Sequence, residues 1–399
     1  MLLGSLALGV GTLGGCGRSP GPTLQVGAVT GSIPAYLPGA FKRFVVEQAA
    51  TGAPGSGVTV TSLGSGKVIA NTFVQWQEAL TGEATGGLPG WVPFFGRQES
   101  NPTDLMLLGS GWLPLAIREG WIQKLDLTIQ TSAQEAIADK RWQQVMTGAG
   151  EVKKAAPIFG MPYRWGTTVL VYRKDKVDTM GGPIMDWSDL WRSQLKGRVM
   201  LLDQAREVIG ATLKSLGQSY NVADLDTVDD LGDRLEALHS QALAYSSTDY
   251  IQPLLMGDAW VAMGWSRDVL PVLARRGQLA AVVPQSGSAL WADLWVQPTA
   301  APKADQDNKQ ESNALRRAWI EFCWTPEIAR RVTLQTAGAS PQFLQGDWGV
   351  LAQDQQGSAA DSIRFPNAEI LEKCEFLLPL GETTRRQYQT LWKRLSSLG

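Results

Sequence analysis

Along most of this chain, strand-like apolar runs alternate with segments of helical period, and that alternation restricts it to an α/β architecture. Thr167 to Tyr172 reads TTVLVY and Arg198 to Asp203 reads RVMLLD. Such runs belong in sheets covered on both faces. Asp104 to Leu108 is a third run, broken by Gly109-Ser110-Gly111 before the helical stretch Leu113 to Gly120. A strand that ends in Gly and Ser and re-enters a helix is a favourable place for a ligand, at the strand's carboxyl end. Val58 to Thr61 alternates as a strand and leads to Ile69, Phe73, Trp76 and Leu80, whose spacing puts one apolar stripe on a helix. Further strands are expected at Trp260 to Trp265 and Leu290 to Val296. Helices are expected around Ile209, Leu213 and Leu216, over Val228 to Leu238, at Asn313 to Phe322, at Pro326 to Gln335, and around Tyr388, Leu391, Trp392 and Leu395.

With 399 residues the chain is too long for one ordinary core and suits two lobes, with a cleft between them as the natural ligand site. A formal net charge of -2, with no basic stripe, excludes nucleic acid as a partner. The single histidine, His239, removes His-ligated zinc and the Ser/His or Cys/His nucleophile pairs. It follows Leu231, Leu235 and Leu238 and reads as a helix-surface residue. Cys16, Cys323 and Cys374 lack metal-ligand spacing, and nothing in the chain calls for a metal or cofactor. Gly64-Ser65-Gly66-Lys67 has Thr61 and Val68 where a phosphate loop needs glycine and a hydroxyl. Ser340 is followed by Pro341, which cannot supply an oxyanion N–H. Asp186, Asp189, Asp203, Glu207 and Asp293 could supply acid/base pairs only by tertiary placement, and acids near turns and helix starts ordinarily cap or stay solvated. The chain therefore does not read as an enzyme. Sixteen tryptophans against seven tyrosines do offer flat faces to cations and methylene chains.

Met1 to Cys16 is apolar and small-residue-rich, of signal-peptide length and too short to span a bilayer. Leu13-Gly14-Gly15-Cys16 resembles the bacterial lipobox, which implies cleavage before Cys16 and lipidation of its thiol, with residues 17 to 21 as a tether. No Lys or Arg precedes the run, as a start assigned too far downstream would leave it.

Several motifs occur in order between roughly residues 100 and 345. They are Asp104-Leu105, Arg118 to Asp126 (REGWIQKLD), Pro162-Tyr163-Arg164-Trp165-Gly166-Thr167, Trp187-Ser188-Asp189-Leu190-Trp191, Asp203-Gln204-Ala205-Arg206-Glu207-Val208, Gly264-Trp265, Trp291-Ala292-Asp293 and Pro326-Glu327-Ile328-Ala329. In these the chain resembles the spermidine/putrescine-binding proteins of bacterial ABC importers. The resemblance implies the α/β, two-lobed type II periplasmic binding protein fold with a ligand cleft between the lobes. It implies residues 22–164 and 292–345 in one lobe, and 165–291 and 346–399 in the other. It implies capture of a polyamine or related organic cation, delivery to a membrane permease, and periplasmic residence on the Cys16 lipid.

Carried over residue by residue, the resemblance makes Glu207, Trp265, Trp291 and Asp293 pocket residues, with Ser110 and Trp112 as further lining. A carboxylate for each ammonium and an indole along the methylenes is what such a cargo needs. On that reading Asp293→Ala should weaken binding and leave the apo protein's unfolding unchanged. Gln204 stands where the resemblance expects an acid, which points to a cargo of lower charge than spermidine. The aromatic-rich N-terminal motif offers only Tyr36, and the late pocket tyrosine falls at about Gly338. A thiamine-like or anionic cargo stays open, as does a lipoprotein that acts through protein contacts instead of transport.

Overall fold

The computed structural model describes residues 23–48, 57–63, 103–126, 138–149, 156–300, 306–343 and 359–398. The proposed lipobox at Cys16, the helical stripe of Ile69 to Leu80 and the Gly64 to Lys67 turn lie outside them. The strands are β1 (Thr23–Val29), β2 (Gly57–Leu63), β3 (Leu105–Gly109), β4 (Ile122–Gln123), β5 (Gly160–Arg173), β6 (Val199–Leu201), β7 (Ala242–Tyr245), β8 (Val261–Trp265), β9 (Leu279–Val282), β10 (Ala289–Pro298) and β11 (Glu375–Phe376). They form one mixed sheet in the order β2-β1-β3-β10-β5-β8-β6-β7, with β4 and β11 paired to β10 and β9 paired to β5.

β5 and β10 are the centre of this order, and both are buried along nearly their whole length. β10 runs antiparallel between β3 and β5. β5 keeps β10 as its partner from Gly160 to Thr167, then changes to β8 and β9 from Thr168 onward. On one side of that change lie the parallel strands β1, β2 and β3; on the other lie the parallel strands β6, β7 and β8.

The observed β5 starts well before the expected Thr167. Pro162 and Arg164 hide this strand from a reading of apolar runs, because proline is confined to edges and bulges and a charge is not expected in a core strand. The structure resolves both objections. Register slips between the pairs Arg164↔Asp293 and Pro162↔Leu294, leaving Tyr163 as the extra residue of a bulge. Tyr163 uses the freedom to donate its hydroxyl to the Ser32 carbonyl at 3.0 Å.

Other expected elements form where periodicity put them, including helices Leu113–Arg118, Ala205–Ser215, Leu231–His239, Pro326–Gln335 and Glu382–Ser396. Helix Gln306–Cys323 is longer at its N-terminus than the apolar stripe from Asn313. It brings Trp319 edge-on to Phe41 (ring centroids 5.1 Å apart) and to Trp295 (5.7 Å). Those T-shaped contacts suit the aromatic quadrupole and tie the helix to the sheet. His239 ends its helix with Nδ1 at 3.1 Å from the Tyr245 hydroxyl, a local surface role. Cys323 and Cys374 are buried and free. No helix among the described residues is long and apolar enough to cross a membrane.

One glycine controls how the site-bearing helix Ala205–Ser215 packs. A Cβ added at Gly210 would fall 2.0 Å from Cδ1 of Tyr220, whose ring is fully buried. Mid-helix Gly→Ala ordinarily stabilises by roughly 1 kcal/mol. Here overpacking reverses the sign, so Gly210→Ala is expected to destabilise by about 1–3 kcal/mol, read as a lower urea midpoint. An unchanged or raised midpoint would mean that the Tyr220 ring can yield.

Candidate functional site

Three strands, β3 from one parallel set and β6 and β8 from the other, deliver side chains to one region from their carboxyl ends. β3 ends at Gly109 and turns into Ser110–Trp112, β6 runs through Leu202 to the helix that starts at Ala205, and β8 ends at Trp265. Strand ends of this kind are the standard ligand positions of α/β sheets. Trp291 and Asp293 reach the same region from β10, at the level where β5 changes partners.

Glu207 occupies the first turn of its helix, where a negative charge suits the helix dipole. The Gln204 carbonyl starts that helix by accepting the Glu207 and Val208 N–H groups at 3.0 and 3.1 Å. Glu207 is buried at 6% exposure, yet both its oxygens are held. The Trp265 indole N–H donates to Oε1 at 3.0 Å, and the Thr168 hydroxyl lies 3.1 and 3.0 Å from Oε1 and Oε2. Burial pushes the Glu207 pKa up; the donors from Trp265 and Thr168 and the charges of Arg206 and Arg267 only partly offset it. The carboxylate keeps lone pairs for one more donor.

Trp265 is fixed from behind. Its backbone N–H donates to the Tyr250 hydroxyl at 3.1 Å, and that hydroxyl donates to Asp268 Oδ2 at 2.8 Å. Trp291 is anchored through its indole N–H to the Thr167 carbonyl at 3.2 Å, and its ring crosses Gly166. A Cβ there would stand 2.5 Å from Trp291 Cζ2 and 2.4 Å from Ser266 Oγ, so only glycine admits the ring. Gly338 touches the other side: a Cβ would come within 3.1 Å of both Trp291 and Arg164. The position at which the resemblance puts a tyrosine thus borders Trp291 and has no side chain here.

Asp293 is 2% exposed and bound to Arg164, Nε to Oδ2 at 2.7 Å. The guanidinium also lies over the Trp291 ring, with Cζ 5.9 Å from its centroid. A second guanidinium, that of Arg267, lies over Trp265 at 4.9 Å and over Trp291 at 5.5 Å. The structure thus brings Glu207, Trp265, Trp291 and Asp293 into one cluster. Ser110 joins it through its hydroxyl, which accepts the Ala292 N–H at 3.2 Å. Gln204 lies half-buried one turn from Glu207, with no capping bond from its side chain. Trp112 is half-buried against the core at the end of the Ser110 turn.

Sequence reasoning passed over the two arginines and Thr168. Arg164 carried a usable signal: a lone charge inside an otherwise apolar strand must have a buried partner. For Arg267, directly after Trp265-Ser266, no such signal existed. A separate concavity, lined by Asn221 to Ala223 and Leu378 to Thr384, offers Glu382 as its single charged side chain.

Residues 96–336 match the family model of the bacterial extracellular solute-binding proteins. A spermidine/putrescine-binding periplasmic protein of Salmonella typhimurium is 25% identical over 239 residues, 60% of this chain and 64% of that relative, so the match leaves about a third of the relative's length uncovered. A putrescine/cadaverine-binding protein of Pseudomonas aeruginosa is 27% identical over 252 residues, 59% of this chain and 66% of its own length. Among solved structures, the spermidine/putrescine ABC transporter substrate-binding protein of Streptococcus pneumoniae superimposes with a TM-score of 0.69 at 20% identity, covering 94% of this chain and 99% of that one, which establishes the shared fold.

The ion pair corrects one expectation. Asp293→Ala cannot be neutral for the apo protein, because it strands the buried Arg164 guanidinium. The loss should be about 3–5 kcal/mol in chemical denaturation, as for other buried pairs broken on one side. Arg164→Met combined with Asp293→Leu should recover most of it. A single substitution without effect on the midpoint would mean that solvent reaches the pair.

Proposed function

The chain belongs to the bacterial extracellular solute-binding protein family, and on that premise we propose that it captures an amine solute, a polyamine or a related organic cation, and passes it to the permease of an ABC importer. The observation that carries this reading is Glu207: a buried carboxylate, raised in pKa by desolvation, oriented by an indole N–H and a hydroxyl, beside two tryptophan faces. An ammonium group relieves the desolvated charge, and indole faces accept both cations and methylenes. Binding and release are the whole activity; no bond is made or broken.

Residues 22–164 with 292–345 make one lobe and 165–291 with 346–399 the other. The change of partners along β5 supports this division, since both β5 and β10 then cross between lobes. Closure about these crossing strands traps the cargo, as in other hinged binding proteins. The protein resides in the periplasm, held to the membrane by lipid on Cys16. Mass spectrometry of protein from native membranes is expected to find a diacylated N-terminal Cys16, and a soluble chain without lipid would remove the anchor.

The Glu207 reading has a pH signature. Its folded pKa is raised, so its contribution to apo stability is full at low pH and is lost as pH climbs from the ordinary carboxylate range through the raised value. An ammonium ligand works in the opposite sense, favouring the ionised form. Amine affinity should therefore rise with pH over that interval, with proton release on binding. Calorimetry of wild type and Glu207→Gln is expected to show a loss of about 2–5 kcal/mol in the variant and no pH slope. Equal affinities at every pH would move the amine site elsewhere.

A further inference from the structure

Two guanidiniums at a site meant for cations require an explanation. Asp293 is already neutralised by Arg164. Arg267 sits against both indoles that would otherwise wall an ammonium or its methylenes. Its helix does not call for a cation at that position. Helix Ser266–Leu273 begins one residue earlier, and a positive charge in a first turn opposes the helix dipole. Nor is Arg267 satisfied by a neighbour: its nearest carboxylate oxygen, on Asp268, is 3.7 Å from Nε, beyond hydrogen-bonding distance, while Asp268 already accepts from Tyr250. The Arg267 side chain is 30% exposed, and no hydrogen bond holds it among the described residues. The Arg164 side chain is only 5% exposed, and Nε is its one hydrogen-bonded nitrogen among the described residues. Both side chains therefore keep N–H donors in hand at the indole wall. Guanidinium donors form a planar fork that fits a carboxylate.

We propose that the cargo is an amine that also carries a carboxylate, an ω-amino acid with a short methylene chain: its ammonium is received by Glu207 and its carboxylate by Arg267, with Arg164 as the second donor. This rests on the reading of the Glu207 site as an amine site and narrows it. The two buried acids, Glu207 and Asp293, face two arginines, and a zwitterion adds no net charge. A dication brings two ammonium groups to a site with one carboxylate not committed to an arginine, and must displace Arg267 from the indoles. The span is short because Glu207 and Arg267 address the same indole, one at its N–H and the other over its face.

Matched pairs that differ in one terminal group test this directly: 4-aminobutanoate against putrescine and 5-aminopentanoate against cadaverine, titrated calorimetrically into the full chain. Wild type is expected to bind at least one amino acid tenfold or more tighter than the diamine of equal length. Arg267→Gln should invert that order by weakening the amino acid, with Arg267→Lys intermediate because it keeps charge and loses the fork. Diamines bound as tightly as the amino acids by wild type would overturn the proposal while leaving the amine site standing, and tighter diamine binding by Arg267→Gln would then identify the guanidinium as a mere occupant of the indole wall. If neither class binds, the amine reading itself falls and this inference with it. The wild-type preference decides the matter even if a variant folds poorly.

Discussion

The buried pair between Arg164 and Asp293 is the interaction on which the centre of this molecule depends. It joins β5 to β10, the two strands buried on both faces, at the one place where their register slips. A charge in that position is costly unless it is met at short range, and the 2.7 Å contact meets it. The bulge, the proline beside it and the pair are one solution: Pro162 has no N–H to give the ladder, Tyr163 is freed to reach Ser32, and Arg164 is left facing Asp293. Trp291 then lies over Gly166 on the same pair of strands, so the first wall of the site is built into the strands that cross the middle of the sheet.

The second wall comes from the ends of parallel strands. β6 and β8 leave Glu207 and Trp265 side by side, and Thr168, directly across from Trp265 on β5, supplies the donor that completes the carboxylate's shell. Tyr250 backs Trp265 through the main chain, which spares the indole N–H for Glu207. A desolvated acid between oriented donors is a poor contributor to stability and a good receptor for a cation. The arginines change what the site presents to a solute, since Asp293 is committed to Arg164 and Arg267 lies on the indoles.

Much of this was legible in the sequence. The apolar runs Thr167 to Tyr172 and Arg198 to Asp203 hold strands, the second only over Val199–Leu201, because a short continuous apolar segment is buried most readily in a sheet covered on both faces. The helix stripes at Leu231, Leu235 and Leu238, or at Ile328 and Val332, repeat at the helical period and are buried where that period says. The motifs around Glu207, Trp265, Trp291 and Asp293 identified four side chains that do converge. The early part of β5 was not legible, because proline and arginine there violate local strand rules and only the bulged partner makes them acceptable.

By itself, then, the sequence determined the layer architecture, the order of its elements and the residue types collected at one site, since periodicity and motif order are properties of neighbouring positions. Only the tertiary structure decided the charge state of that site. Arg164 and Asp293 are 129 residues apart in the chain, and Arg267, on the helix that follows β8, meets Trp291 on β10. Pairings of that range leave no periodic trace, and whether an acid is free for a ligand or already neutralised is a matter of a few ångströms in space that spacing along the chain does not encode.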